Sequence, residues 1–267
     1  MVNQKHLDRE WHKLLKAEKS FLNRNFRALS GNWQEKIEKY VPEKFQSTLD
    51  KTFLKAFDLI FEKGTPVIEK TYNREKMEQD YKILEFVDGV KNNGSSLRAF
   101  GKHAAKSRMV NQAISAAEGV GMGVLGMGLP DIPLFLGVLL KSIYEIALSY
   151  GYAYDTMEER IFILQLMETA LLREKDLLKA DLLINQQISK VADREITLEE
   201  QKERTAKALA DEMLYLKFIQ GIPVAGIAGG ISDVVYQKKI TDYAALKYKR
   251  RFLYAKHVKG TSYGTAT

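Results

Sequence analysis

Apolar residues recur along most of this chain at the three-and-four spacing of an amphipathic helix, and no segment alternates with the period of two that a strand requires. Leu7, Trp11, Leu14, Leu15, Leu22, Phe26 and Leu29 predict a first helix that stops at Gly31, with Lys, Arg and Glu on its other face. A short segment with Trp33, Ile37 and Tyr40 follows. Pro42 then opens a helix through Phe45, Leu49, Phe53, Phe57, Ile60 and Phe61 that Gly64 should close. Pro66 begins the next, running through Ile68, Tyr72, Met77, Tyr81, Leu84 and Val87 to about Val90. Asn92-Asn93-Gly94-Ser95 is a loop signal, and Leu97 to Glu118 reads as a helix rich in Ala and Ser.

The stretch from Glu118 to Glu159 departs from this rhythm. Gly119, Gly121, Gly123, Gly126 and Gly128 interrupt an apolar run, although a glycine inside a helix costs about 1 kcal/mol relative to alanine. Such a tract implies either an irregular backbone or close approach of another backbone. Gly119 and Gly123 have the small-xxx-small spacing that suits helix contact. Pro130 stops a helix, Asp131 can cap the next, and Pro133 suits its first turn. Leu134 to Ser149 is then apolar nearly all round except at Lys141 and Glu145, as in a central bundle helix or a helix in lipid. Gly151 ends it, and Thr156 with Glu159 makes a capping box.

Further helices are predicted at Ile161 to Leu172, Leu177 to Val191 and Leu198 to Phe218, with a second capping box at Thr197 and Glu200. A second glycine tract, Gly221, Gly226, Gly229 and Gly230 with Pro223 inside it and Asp233 after it, echoes the first. A last helix spans about Val234 to His257. Together these predict an all-α, single-domain multi-helix bundle over 1–259 with two central glycine-rich apolar hairpins. Residues 1–41 can be read as a peripheral helical arm, and 260–267 as a disordered tail. The two tracts are expected to meet backbone to backbone at Gly119, Gly123, Gly126, Gly226 and Gly230.

The motifs of these two tracts resemble one family. A glycine-rich turn leading to Asp131-x-Pro133, a long apolar helix ending Ser149-Tyr150-Gly151-Tyr152, and then Asp155 with Glu158 and Glu159 are similar to the EcsC family of bacterial proteins. Ile222, Pro223, Gly226 and Gly230 follow the same family's pattern near the end. The resemblance implies association with an ABC transporter involved in export and membrane physiology. It carries over no catalytic residues.

Composition narrows the chemistry. Among 267 residues, 45% are hydrophobic and 28% charged, the balance of a globular protein with a sizeable core. The absence of cysteine excludes disulfides, thiolate catalysis and cysteine metal sites. The N-terminal stretch has no apolar h-region of a signal peptide, which points to the cytoplasm, at the inner face of the cell membrane. A net charge of +7 favours anionic partners. On the last helix, Lys238, Lys239, Lys247, Lys249, Arg250, Arg251 and Lys256 lie among tyrosines, a pattern expected of a face turned to an anionic membrane. The same mixture could serve nucleic acid, but no nucleic-acid module accompanies it.

His6, His12, His103 and His257 are scattered, with no H-E-x-x-H or E-x-x-H pair, so no metal or other cofactor is expected. A Ser-His-Asp set could be drawn through Ser149 or Ser142, but no nucleophile elbow is present. The glycines lack the strand context of a dinucleotide fingerprint and the Gly-Lys-Ser/Thr of a phosphate loop. The remaining enzyme lead is the acidic set Glu118, Asp131, Glu145, Asp155, Glu158, Glu159 and Asp233, whose members near apolar residues could act as acids or bases. Capping and ion pairing account for the same positions. The expected function is therefore that of a non-enzymatic, peripheral membrane accessory protein. It would bind lipid or an integral membrane partner such as an ABC transporter, with an enzyme acting on a lipid or other hydrophobic substrate as the alternative and a nucleic-acid binder as a second alternative.

Overall fold

The computed structural model describes residues 4–26, 41, 43–106, 132–191, 195–219 and 231–262, with backbone alone for 216–219, 231–235 and 259–262. Every regular element among them is helical. In chain order these are α1 (Gln4–Phe26), α2 (Glu43–Leu59), α3 (Thr65–Glu69), α4 (Arg74–Lys91), α5 (94–106), α6 (Ile132–Ser149), α7 (Met157–Leu171), α8 (Glu174–Ile188), α9 (Leu198–Ile219) and α10 (Ile231–Ser262). Both glycine tracts, and with them Gly119, Gly123, Gly126, Gly226, Gly230, Glu118 and Asp131, lie outside the described residues. Asp233 falls in α10, but its side chain is not described.

Three predicted boundaries are corrected. α10 runs to Ser262, past the end expected at His257 and into the segment expected as a tail from 260. Gly64 does not close a helix: a π-helical turn, Ile60–Gly64, carries α2 straight into α3, and the Thr65 hydroxyl donates to the Ile60 carbonyl (3.2 Å). The helix expected from Pro66 to Val90 is two helices. The Thr71 amide and hydroxyl both turn back to the Ile68 carbonyl (2.9 and 2.6 Å), and the Asn73 side chain accepts from the Lys76 amide to start α4. Local hydrogen bonding by a threonine and an asparagine outweighs the helical periodicity that runs through them.

α6 is central. From Ser142 to Ser149 every residue is buried, and α2, α3, α4 and α10 pack around it. It is long and apolar enough to cross a membrane, yet 67% of it is covered by the rest of the chain, as in a core helix. α10 is the second axis, touching α1, α6, α7, α8 and α9. α1 lies along α10 and α8 and buries Leu7, Glu10, Leu14, Glu18 and Phe21, one stripe of its surface.

Candidate functional site

The residues linking α6 to α7, from Ser149 to Asp155, form a corner on which several helices converge. Gly151 makes the turn at φ +81°, a backbone conformation glycine adopts without strain. The Tyr81 ring of α4 packs directly on it, so a Cβ here would lie 2.3 Å from the ring. Beyond it the tyrosines diverge. Tyr154 stacks on Tyr144 of α6 (4.0 Å between centroids) and donates to Glu69 (2.6 Å), while Tyr72 donates to Tyr154 (2.5 Å). Burial, Glu69 and Tyr72 push the Tyr154 hydroxyl far above its ordinary range, so it stays a neutral donor. Arg74 lies 4.8 Å over the same ring and gathers Asp155 (2.5 Å), Glu69 (2.9 Å) and Glu78 (2.9 Å). Asp155 is thus a surface partner of an arginine.

Glu159 faces inward. Its carboxylate accepts from the Tyr248 hydroxyl (2.6 Å) and from Arg251 at both oxygens (2.9 and 2.7 Å). The capping box at Thr156 is therefore half made: the Thr156 hydroxyl accepts from the Glu159 amide (3.2 Å), but the Glu159 carboxylate serves α10 instead. Its neighbour Glu158 is exposed in the first turn of α7, where its own amide and the Thr156 hydroxyl hold its carboxyl below the usual range. Glu145 is buried on α6, and its carbonyl accepts the Ser149 hydroxyl (2.7 Å).

The structure also draws the Ser-His-Asp set that sequence spacing left open. His103 of α5 places Nδ1 3.0 Å from Ser149 Oγ and Nε2 3.2 Å from Asp80 Oδ2 on α4. Ser149 is 1% exposed and lies within α6 packing, so its oxygen is closed to an incoming carbonyl. The three side chains tie α4, α5 and α6 together.

The basic residues of α10 require a larger correction. They do not form an open face. Lys247 is 0% exposed and reaches Glu18 (2.9 Å), Asp181 (2.7 Å) and Asn185 (2.8 Å). Arg250 forks onto Glu18 (2.8 and 2.5 Å), Lys249 meets Glu10 (3.1 Å), Lys256 meets Asp88 (2.7 Å), and Lys239 lies 3.6 Å from Glu212. Burial lowers the Lys239 pKa, and Glu212 offsets part of that effect. Lys238 alone of the predicted set is well exposed, paired to Asp242 (2.6 Å). The physical reason is position: α10 is surrounded by α1, α6, α7, α8 and α9, whose buried carboxylates its cations neutralise. Glu159 and Arg251, predicted for separate roles, are each other's partners.

A cleft of about 250 Å³ opens beside the corner, between α4 and the latter part of α10. Tyr81, Tyr150, Tyr152 and Phe252 line it, with Glu85 and Lys256 as its charged members. Burial pushes the Tyr152 hydroxyl up to about 12, partly offset by Arg251 4.1 Å from its ring. Sequence reading missed this cleft because α4 and α10 lie far apart in the chain. Its one visible trace was the density of tyrosine in the non-helical run from Tyr150 to Tyr154. Among the described residues no group of three or more His, Asp or Glu could hold a metal ion.

These features describe an all-α bundle built around one apolar helix and a tyrosine-rich corner. The EcsC protein family matches residues 8–253, and the chain belongs to that family. It is similar to Protein EcsC of Bacillus subtilis (strain 168), at 26% identity over 147 residues, or 54% of each chain. The chain thus matches about half the length of that curated relative. No solved structure matches it.

Proposed function

We propose that the protein is a non-catalytic accessory protein bound peripherally to the anionic cytoplasmic face of a membrane, where it would serve an integral partner such as an ABC transporter. The observation that carries this reading is the outer face of α1. Lys5, Arg9, Lys13, Lys16, Lys19 and Arg24 are all exposed there, while Glu10 and Glu18 of the same helix are buried against α10. Lys16, Lys19 and Arg24 share one shallow depression with Ser20 and Asn23. The neighbouring α8 exposes Leu178, Leu182 and Leu183 with Lys175 and Lys179, and Glu174 and Asp176 in its first turn; leucines beside long basic side chains suit a headgroup layer.

Each Lys or Arg near an anionic surface contributes about 1 kcal/mol, and the attraction decays over a Debye length of about 8 Å at physiological salt. Flotation with phosphatidylglycerol vesicles tests the reading. Binding is expected on these vesicles at low salt, to weaken steeply as salt rises, and to exceed at low salt any binding to neutral phosphatidylcholine. The triple variant Lys16→Glu, Lys19→Glu, Arg24→Glu should lose binding and keep the wild-type melting temperature, because these side chains are exposed. Equal flotation of wild type and triple variant, or no binding to anionic vesicles at low salt, refutes it. Charge reversal at Lys249, Arg250 and Arg251 is the wrong test, since it would break internal ion pairs.

A further inference from the structure

The cleft beside Gly151 combines features that a purely structural seam does not need. Its lining is mostly aromatic, and its charges do not cancel. Lys256 is neutralised by Asp88 at 2.7 Å, while the exposed Glu85 accepts from the neutral Tyr81 hydroxyl and has no cationic partner among the described residues. Burial and Glu85 together push the Tyr81 hydroxyl upward, so the phenol beside that carboxylate stays neutral. Rings of this wall already receive cations: Lys256 Nζ lies 5.1 Å from the Phe252 centroid, and Arg251 stands 4.1 Å over Tyr152.

We infer that this cleft binds a small organic cation of the ammonium class, the group carried by choline- and ethanolamine-type molecules, through Tyr81, Tyr150, Tyr152 and Phe252 with Glu85 as counter-charge. An ammonium is attracted to the negative face of an aromatic ring, and the attraction strengthens where water is excluded. A neighbouring carboxylate adds a direct charge partner. A volume of about 250 Å³ lies below the roughly 300–1,000 Å³ of sites for drug-sized ligands, so the cleft suits a headgroup and excludes a whole lipid. The site is separate from the basic face of α1, and it stands or falls independently of membrane binding.

Calorimetric titration of the full chain in solution, without vesicles, tests it with choline and with 3,3-dimethylbutanol, the uncharged isostere. Choline should bind at least about tenfold more tightly than the alcohol. Glu85→Gln, at an exposed position, should weaken choline binding about five- to tenfold and leave melting unchanged. Tyr152→Leu should weaken it by a similar factor, and Glu85→Gln keeps the test valid if that variant unfolds. Phosphatidylcholine vesicles and free glycerophosphocholine then separate a lipid headgroup from a soluble amine: vesicle binding that Glu85→Gln abolishes identifies the lipid, and binding of the soluble compound alone identifies the free amine. Equal affinity for alcohol and choline, full choline affinity in Glu85→Gln, or preferential binding of inorganic phosphate lost in Lys256→Met overturns the inference. These outcomes leave the flotation of wild type on anionic vesicles untouched, so the two readings fail separately.

Discussion

Replacing Lys247 by methionine removes a charge that is fully enclosed and shared among three helices. Its ammonium bridges Glu18 of α1 and Asp181 of α8, and it donates to Asn185 as well. The two carboxylates fare differently when it is gone. Glu18 keeps the forked Arg250 (2.8 and 2.5 Å), whereas Asp181 keeps only the neutral donors Tyr243 (2.8 Å) and Asn185 (2.9 Å). The cost is therefore that of one uncompensated buried carboxylate, about 3–5 kcal/mol. For a chain of this size each kcal/mol shifts Tm by roughly 2–4 °C, so the single variant should melt roughly 6–20 °C below wild type. Adding Asp181→Asn removes the orphaned charge and leaves an oxygen to accept from Tyr243. The double variant should recover much of the loss, with a coupling of about 2–3 kcal/mol in the double-mutant cycle. Thermal unfolding by circular dichroism and calorimetry reads both. A single variant that melts within about 1 °C of wild type, or a double variant whose loss is the sum of the singles, refutes the assignment of Lys247 as the buried neutraliser of Asp181.

Two other perturbations test separate parts of the fold. Asp50 lies on α2 and Asp211 on α9; burial raises both carboxyls, the Asp211 charge further opposes ionisation of Asp50, and Lys207 offsets part of each shift. A raised folded-state pKa means that the folded protein favours the protonated acid, so stability should fall as pH rises from the unfolded carboxylate range through the raised value. Asp50→Asn should accordingly raise Tm at pH 7 and lose its advantage near pH 3, and a variant equally or less stable at pH 7 contradicts the raised pKa. Gly151→Ala sets a Cβ against the Tyr81 ring at a φ of +81° and should cost about 2–5 kcal/mol, combining left-handed strain of about 1–2 with overpacking of about 1–3. Truncating Tyr81 to alanine in the same chain should relieve only the steric part, and unchanged melting of Gly151→Ala would show that the corner relaxes freely.

Helices, and the stops and caps between many of them, are local properties, and the chain declares them residue by residue. Thr156 and Thr197 cap the helices that follow them, Gly151 turns the chain after α6, and the nearly all-apolar surface of Ile132–Ser149 marks the helix that becomes central. Even the buried charges left a trace: Glu10 and Glu18 occupy the same stripe of α1 as Leu7, Leu14 and Phe21, where only a partnered carboxylate can stand. What the chain could not declare was which cations from elsewhere would meet them. Taken one helix at a time, Lys247, Arg250 and Arg251 are surplus positive charge, and surplus charge belongs in water. Enclosure of α10 by its neighbours brought Glu18, Asp181 and Glu159 within about 3 Å of those cations and turned an expected surface into the interior. The exposed basic face passed instead to α1, whose Glu10 and Glu18 had turned inward. In the same way the cleft joins Tyr81 and Glu85 to Phe252 and Lys256, residues too far apart in sequence for any local periodicity to relate them.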